Sequence, residues 1–397
     1  MSGEPSSWSE TLRRAAQEGL WPPGERRAEA LRTEGLDWKA VGWLVAVATL
    51  GTFAVGFLAF ALIEDRWPEG FFAHWNRWDS LHYLRMAEEG YGVDGQRALL
   101  AMWPPLYAWG VRLVSLLVGD ALVAGIVVST ACYASATALF YRLTALDFSE
   151  SVARRAVLYW SLFPTAYFLH IAYAESLFAL LVLGSFAAAR SGRWAAAGAL
   201  GGLAALTRIT WMPLLPALLV EYLLQRDFQL RRVERDIWWL ALLPAGFLLF
   251  LAINYAVYGN ALQFLEVAGG VMRKELAAPW TGARAIWDYA AASGPTRAVT
   301  IGAFELLAGF GALGAAVWAC LRLRASYAVY LLGSALLLTC NSWWLGTLRY
   351  WLPLFPAFWM LALWGTRHRA LHFVLCAVFG SVQVLLIALF VRGWWTH

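Results

Sequence analysis

Long apolar runs, separated by short loops that carry basic residues, constrain the fold of this chain more than any other feature. The first run, at residues 39–63, is long enough to cross a bilayer at about 1.5 Å per residue. Others follow at residues 121–143, 156–170, 176–189, 194–207, 211–225, 237–258, 298–320, 327–341, 350–365 and 370–391. Because 60% of the 397 residues are hydrophobic and 14% charged, no water-soluble interior could hide this surface. The sequence predicts an all-α polytopic membrane protein with about 11 transmembrane helices (10–12).

The chain divides into a polar N-terminal tail at residues 1–38 and a single transmembrane domain at residues 39–397. The tail is mixed in charge and has no apolar core of the kind found in signal peptides, so we expect the first span to act as an uncleaved anchor. The net charge of +5 arises from short loops between apolar runs, which indicates membrane topology and no nucleic-acid partner.

The basic loops predict the orientation, because such loops stay in the cytoplasm. They lie around residues 142–155, 190–193, 226–235, 322–324 and 367–369. The tail then faces the cytoplasm, and the two large loops at residues 64–102 and 259–297 face the other side. This alternation requires residues 104–143 to cross an odd number of times. The helix after Pro105 is therefore expected to be re-entrant, to lie flat, or to be part of one bent passage.

The first outward loop concentrates polar and aromatic side chains in residues 74–83. On a helix, residues three and four apart share a face, so Asp79, His82, Tyr83 and Met86 would line one side. A carboxylate in this setting could act as a general base. The same pattern also fits an interfacial helix anchored by aromatic rings, and these residues alone leave both interpretations open.

Charged residues also stand at the outward ends of later apolar runs. Glu175, Arg208 and Arg349 are costly beside a membrane, and such residues usually mark a site or a buried ion pair. A guanidinium group can hold phosphate with two donors, or it can extend to the lipid headgroups. In the second large loop, Trp280 could stack on the face of a ligand or anchor the chain at the interface.

The neighbouring carboxylates Glu64 and Asp65 raise the question of a metal site, since Mg²⁺ and Mn²⁺ prefer oxygen ligands. Adjacent residues seldom chelate one ion well, and arginine side chains can neutralise an anionic ligand without a metal. We therefore predict no cofactor and no metal ligands, and a divalent metal is left open without being favoured.

Five blocks of sequence resemble the GPI mannosyltransferase II (PIG-V) family. The first, Trp78-Asp79-Ser80-Leu81-His82 with Gly90-Tyr91, is similar to the first luminal loop of that family. The others follow in the same order: Trp103–Tyr107, Phe163–Phe168 with Tyr173–Phe178, Gly201–Arg208, and Leu348-Arg349-Tyr350 with Leu352–Pro356. The resemblance covers roughly residues 40–365, and the short length is more similar to a prokaryotic relative.

This resemblance implies a GT-C-type glycosyltransferase fold with amphipathic helices in the first outward loop. It also implies inverting transfer of mannose from a polyprenyl-phosphate-linked donor to a lipid- or glycan-linked acceptor hydroxyl, on the extracytoplasmic face. The membrane would be the plasma (inner) membrane of a prokaryote or the endoplasmic reticulum of a eukaryote. Asp79 corresponds to the catalytic carboxylate. The candidates for substrate binding are Arg77, His82, Tyr83, Glu175, Arg208, Trp280, Arg349 and Tyr350.

Two kinds of alternative remain. The same fold could transfer another lipid-linked sugar, such as glucose or arabinose. A protein of a different class, either a transporter or scramblase of lipid-linked substrates or a non-catalytic subunit, would also be polytopic. A transporter would favour inverted repeats and ionisable groups at mid-membrane, whereas here the polar residues gather at one face.

Overall fold

The computed structural model describes residues 37–64, 70–272 and 274–396. The tail up to residue 36, Asp65 and Arg273 lie outside the described residues, as does the side chain of Glu64. The α-helices of four or more residues are labelled α1 to α15 in chain order: Trp38–Glu64, Asp79–Glu89, Leu106–Val118, Ala121–Asp147, Glu150–Leu162, Glu175–Arg190, Trp194–Ala205, Leu214–Leu224, Leu242–Tyr258, Gln263–Met272, Pro279–Ala291, Phe304–Arg322, Ala325–Thr339, Phe355–Arg367 and Arg369–Val391.

Short helical turns join several of these helices. Pro295–Arg297 and a π-helical turn at Ala298–Ala303 lead directly into α12. The 3₁₀ turns are Ala73–Trp75, Gly95–Met102, Ala166–Leu169, Ile209–Trp211, Leu230–Arg232, Arg235–Ala241 and Arg349–Trp351. Within the described ranges the chain forms no strand beyond one isolated bridge, between Leu276 and Asn341.

Five helical segments are long and apolar enough to cross a membrane. They are Trp38–Leu62, Ala121–Asp147, Arg235–Tyr258, Pro295–Arg322 and Arg369–Val391. Shorter apolar helices lie between them, and the 12 residues of α7 rise only about 18 Å, less than a bilayer core of roughly 30 Å. These helices support an all-helical integral membrane protein, while the number of about 11 spans stays a prediction.

Proline residues move two helix boundaries away from the expected positions. The run at 156–170 was expected to be one span, but α5 ends at Leu162 and a separate turn follows. Pro164 lacks an N–H donor and forces extended backbone on Phe163, whose φ and ψ are −54° and 141°. Likewise, α14 begins at Phe355, after Pro353, and leaves Arg349 in a turn of its own.

The helix expected after Pro105 is α3, and it forms a hairpin with α4. Gly119, with φ of 78°, ends α3 in the left-handed conformation that a glycine adopts without strain. The Asp120 side chain then caps α4 by accepting a hydrogen bond from Val123 N at 2.8 Å. Tyr107, near the start of α3, donates a hydrogen bond to Gly125 O in the second turn of α4, at 3.0 Å, and this contact joins the two helices.

The central helix α6 links two clusters of charged residues. Its first residue, Glu175, lies beside Arg208, whereas its last residue, Arg190, contacts Asp147 at 2.6 Å and Glu221 at 3.8 Å. With 16 residues, α6 is roughly 24 Å long at 1.5 Å per residue. The two clusters therefore occupy opposite ends of the helical bundle, and the Glu175 end contains the candidate site.

Candidate active site

A tight turn positions the carboxylate of Asp79. Arg77 O accepts a hydrogen bond from Ser80 N at 3.2 Å, and Trp78 at the second position of this turn has φ and ψ of 55° and −120°. These angles are those of a type II′ turn, where glycine is the usual residue, so a tryptophan there is strained. The turn makes Asp79 the first residue of α2, where the helix dipole favours negative charge.

The predicted polar face of α2 is largely buried. Asp79, Tyr83 and Met86 all lie in the interior, one turn apart. His82 is half-buried at the side of this face and stacks on Trp103, with 4.3 Å between the ring centroids. Burial lowers the pKa of His82, the nearby Asp79 raises it and Arg85 lowers it further, so the net shift is downward. His82 therefore acts at neutral pH as an uncharged ring beside the carboxylate.

Two carboxylates and two guanidinium groups form a connected cluster. Arg349 Nη1 lies 2.8 Å from Asp79 Oδ2, and its Nε lies 3.1 Å from Glu175 Oε1. Arg208 Nη1 donates a hydrogen bond to the same Glu175 oxygen at 2.7 Å. The exposed fractions are only 7% for Asp79, 1% for Glu175, 8% for Arg208 and 5% for Arg349. Buried charges of this kind are stable only when paired, so the four side chains hold one another in place.

Tyr350 lies among three cations. The guanidinium carbons of Arg208 and Arg349 are 5.0 and 5.5 Å from its ring centroid, and Lys274 Nζ is 5.0 Å away. Burial raises the pKa of the phenol, but Lys274, Arg349 and Arg208 together lower it to about 8. With three cations against the two carboxylates of the cluster, the site carries an excess of one positive charge while Tyr350 is protonated.

These residues surround a cavity of about 360 Å³, within the range of small-molecule sites. Polar groups converge on it from α2, from the end of α7 and from the turn at Arg349–Trp351, and the rest of the wall is apolar and aromatic. The lining residues are Asp79, Tyr83, Met102, Trp103, Pro104, Thr207, Arg208, Ile209, Thr210, Lys274, Trp343, Leu345, Gly346, Arg349, Tyr350 and Trp395.

A buried carboxylate on α12 fixes the segment that carries Arg349. Glu305 is fully buried, and its two oxygens accept hydrogen bonds from Gly346 N at 2.5 Å and Leu348 N at 3.2 Å. On the other side, Lys274 Nζ donates to Leu345 O at 2.7 Å. The backbone just before Arg349 is therefore held from two directions.

The structure brings most of the predicted substrate residues together and leaves two apart. Tyr83, Arg208, Arg349 and Tyr350 line the cavity with Asp79, Glu175 pairs with the two arginines, and His82 stacks on a lining residue. The Arg77 guanidinium instead faces Val391 O, at 3.4 Å. Trp280, on α11, is 75% exposed and is outside the cavity lining.

Lys274 and Glu305 were not among the predicted site residues. Glu305 could have been noticed, because it is a lone carboxylate inside the apolar run at 298–320, and such residues usually have a function. Lys274 carried no comparable signal, since it lies between Arg273 and Glu275 in a polar loop.

Among the described residues, no three histidine, cysteine or acidic side chains are placed so that they could hold a metal ion together. Asp79 and Glu175 face arginine instead of each other's oxygens. Of the pair considered for a metal in the sequence, Asp65 and the Glu64 side chain lie outside the described residues. Chemically, the cavity wall offers one carboxylate as a proton acceptor, Asp79, and several cationic donors.

Comparison with known proteins bears on this part of the chain. Residues 103–255 match the family model described as dolichyl-phosphate-mannose-protein mannosyltransferase. The matched segment begins at the cavity wall with Trp103 and includes both Glu175 and Arg208. No curated protein matches the chain. Residues 103–255 are thus similar to a family of mannosyltransferases, and the chain that carries them also has helices long enough to span a membrane.

Proposed function

We propose that the protein is an inverting, PIG-V-like mannosyltransferase that moves mannose from a polyprenyl-phosphate donor to an acceptor hydroxyl. The observation that carries this proposal is the position of one carboxylate, Asp79, in the same cavity as Arg208, Arg349 and Lys274. The family match supports a donor of the polyprenyl-phosphate-mannose type. A phosphate-linked sugar needs both of these elements, a base for the acceptor and cations for the leaving group.

In this mechanism Asp79 accepts the proton of the acceptor hydroxyl while its oxygen attacks the anomeric carbon. The bond between that carbon and the phosphate oxygen breaks on the opposite face, so a single displacement inverts the configuration. Arg208, Arg349 and Lys274 stabilise the negative charge of the departing polyprenyl phosphate. Arg349 contacts Asp79, and on donor binding the phosphate would pair with this guanidinium and leave the carboxylate free to act on the acceptor.

The donor's isoprenoid tail needs an apolar path out of the cavity into the lipid. A side cavity of about 110 Å³ shares Ile209, Thr210, Lys274 and Tyr350 with the main one. Its remaining wall is mostly apolar and comes from the neighbourhood of α8 and α13, namely Met212, Leu337, Leu338, Asn341 and Thr347. If Lys274 holds the phosphate of the donor, the isoprenoid tail of the donor could lie between these two helices.

The extracytoplasmic position of the site is part of the proposal. It is supported by the arginine-rich helix ends at the Arg190 end of α6, opposite the cavity. Labelling with a membrane-impermeant thiol reagent, in a variant without native cysteines, tests it. Arg284→Cys near the cavity end should react from outside intact cells, and Arg231→Cys should not. The reverse pattern would contradict the proposed orientation.

A donor panel tests the function and separates it from the sibling enzymes. The purified protein in lipid nanodiscs is incubated with polyprenyl-phosphate mannose, polyprenyl-phosphate glucose, polyprenyl-phosphate arabinose and GDP-mannose. With water as the acceptor, we expect release of polyprenyl phosphate together with free mannose, and from the mannose donor only. Preference for another lipid-linked sugar would retain the mechanism and correct the sugar, whereas turnover of GDP-mannose alone would overturn the proposal.

A further inference from the structure

A second cavity, of about 480 Å³, adjoins the first and is not used in the mechanism above. The two cavities share three lining residues, Trp343, Leu345 and Trp395. Its volume lies within the range of about 300–1,000 Å³ that is typical of small-molecule sites. The wall formed by these three residues therefore separates a ligand in the second cavity from the cavity that contains the cationic cluster.

The second cavity is rich in aromatic rings. Trp78 and Trp395 meet edge to face with 4.9 Å between the ring centroids, and Tyr289 meets Trp343 at 5.5 Å and an interplanar angle of 90°. Trp394 also lines it and is partly exposed. Single tryptophans commonly serve as interfacial anchors, but five aromatic side chains around one cavity form a binding wall. The C–H face of a pyranose ring packs well on such electron-rich surfaces.

Two arginines add a charge preference. Arg297 and Arg392 both line the cavity, on the same wall as the aromatic rings. Guanidinium groups suit phosphate and carboxylate oxygens, which they can hold with two donors. Aromatic rings and arginines together therefore fit a saccharide that bears an anionic group.

The strained turn before α2 connects the two cavities. Trp78 lines the second cavity and the next residue, Asp79, lines the first. Trp78 adopts a positive φ of 55° that a glycine would occupy more easily. Strain that persists at such a position is a reason to look for function. A ligand stacked on the Trp78 ring would therefore lie against the residue that precedes the catalytic candidate in the chain.

We infer that the second cavity is the acceptor subsite and that it binds a saccharide carrying phosphate or carboxylate. The acceptor role rests on the proposed function, whereas the binding itself does not depend on it. Tryptophan faces orient the sugar, Arg297 and Arg392 hold its anionic group, and the backbone at residue 78 sets its distance from Asp79.

The test measures binding of mannose 6-phosphate by saturation-transfer NMR, with the protein in phosphatidylcholine nanodiscs. We expect mannose and inorganic phosphate each to bind at least tenfold more weakly than the sugar phosphate. The double variant Arg297→Gln/Arg392→Gln should lose at least tenfold in affinity, and Trp394→Ala should lose several-fold. Arg284→Gln and Trp287→Ala are the matched controls, because both residues are exposed on α11 and line neither cavity, and they should bind as the wild type does.

Three results would overturn the inference. These are wild-type binding by the double arginine variant, equal binding of inorganic phosphate and mannose 6-phosphate, and complete displacement of the probe when phosphatidylglycerol replaces phosphatidylcholine. The last would identify a lipid headgroup site without sugar specificity. Hydrolysis of the lipid-linked donor by water, measured in parallel, reports on the first cavity alone. Probe binding without donor hydrolysis would therefore contradict the proposed function and retain the saccharide site, and the reverse would contradict only the inference.

Discussion

At the scale of single residues, the candidate site is governed by its charge balance. Arg208, Arg349 and Lys274 exceed the two carboxylates by one positive charge, which prepares the cavity for the phosphate of a donor. When the phenol of Tyr350 loses its proton, its negative charge cancels that excess. Its pKa is lowered from the ordinary 10 to about 8, so the phenolate forms within the range in which enzymes are commonly assayed.

This balance predicts an alkaline limit to donor binding. As pH rises from 7 to 9 the phenol of Tyr350 loses its proton, the excess positive charge disappears, and the KM for the lipid-phosphate donor should rise several-fold. Tyr350→Phe cannot ionise, so its KM should stay nearly constant over this range. Steady-state kinetics from pH 7 to 9 check this, with Tyr255→Phe, an exposed tyrosine on α9, as the control. An equal alkaline rise of KM in Tyr350→Phe would rule out this tyrosine as the titrating group.

Individual site residues could be predicted where their chemistry conflicts with their surroundings. Glu175, Arg208 and Arg349 stand out because they are charged at the ends of apolar runs. The sequence does not reveal that Arg349 bridges Asp79 and Glu175, since these contacts join residues far apart in the chain. It also does not show that Trp280 lies outside the cavity wall, because an exposed anchor and a stacking ring have the same local pattern.

At the scale of helices and loops, the site depends on how α12 and Lys274 hold the segment before Arg349. Glu305 on α12 accepts hydrogen bonds from the backbone of Gly346 and Leu348, so a transmembrane helix fixes a loop at the membrane surface. Glu305 does not line the cavity, and it acts on the site by holding the segment that positions Arg349.

Glu305→Gln should disturb this positioning. The amide keeps one acceptor oxygen and places an NH₂ group against a backbone N–H, and a buried group left unpaired costs about 1–3 kcal/mol. We expect a lower melting temperature and a donor KM that rises more than kcat falls, because Arg349 would no longer be held toward the phosphate. Glu266→Gln, an exposed residue on α10, is the control. An unchanged donor KM in Glu305→Gln would show that the loop keeps its position without the carboxylate.

Close packing of α7 against α9 helps to position Arg208, because Arg208 follows shortly after the end of α7. A Cβ atom added at Gly246 would lie 2.2 Å from Gly202 O, so only glycine allows this approach of the two backbones. Gly246→Ala should lower the stability by about 1–3 kcal/mol, as overpacking usually does. Thermal unfolding in nanodiscs measures it. Gly314→Ala on α12 is the matched control, since its Cβ would meet nothing within 4 Å. Equal melting temperatures of the two variants would contradict the tight contact.

The positions of most helices are predictable from hydropathy, because a long apolar run has few other places than a membrane helix. The residues at which the helices begin and end are less predictable. The break between α5 and the turn at Ala166–Leu169 follows from Pro164, which a hydropathy pattern passes over. The contact between Gly202 and Gly246 arises from packing of helices distant in sequence, and no local pattern shows which glycines serve this purpose.

At the scale of the whole molecule, charge separates along the bundle. The cavity and its cluster lie at the Glu175 end of α6, whereas Arg190, Asp147, Glu221 and Arg324 form a second network at the other end. Paired arginines at that end match the basic loops from which the orientation was predicted. This arrangement separates the end proposed to hold the donor from the end expected in the cytoplasm.

The central claim concerns Asp79, and the most direct test is the turnover of polyprenyl-phosphate mannose by Asp79→Asn in nanodiscs. General-base help is worth about 10²–10⁴-fold, so we expect turnover to fall by that factor while the melting temperature shows an intact fold. Asp288→Asn, an exposed carboxylate on α11, should turn over as the wild type does. Wild-type turnover by a well-folded Asp79→Asn protein would contradict the account.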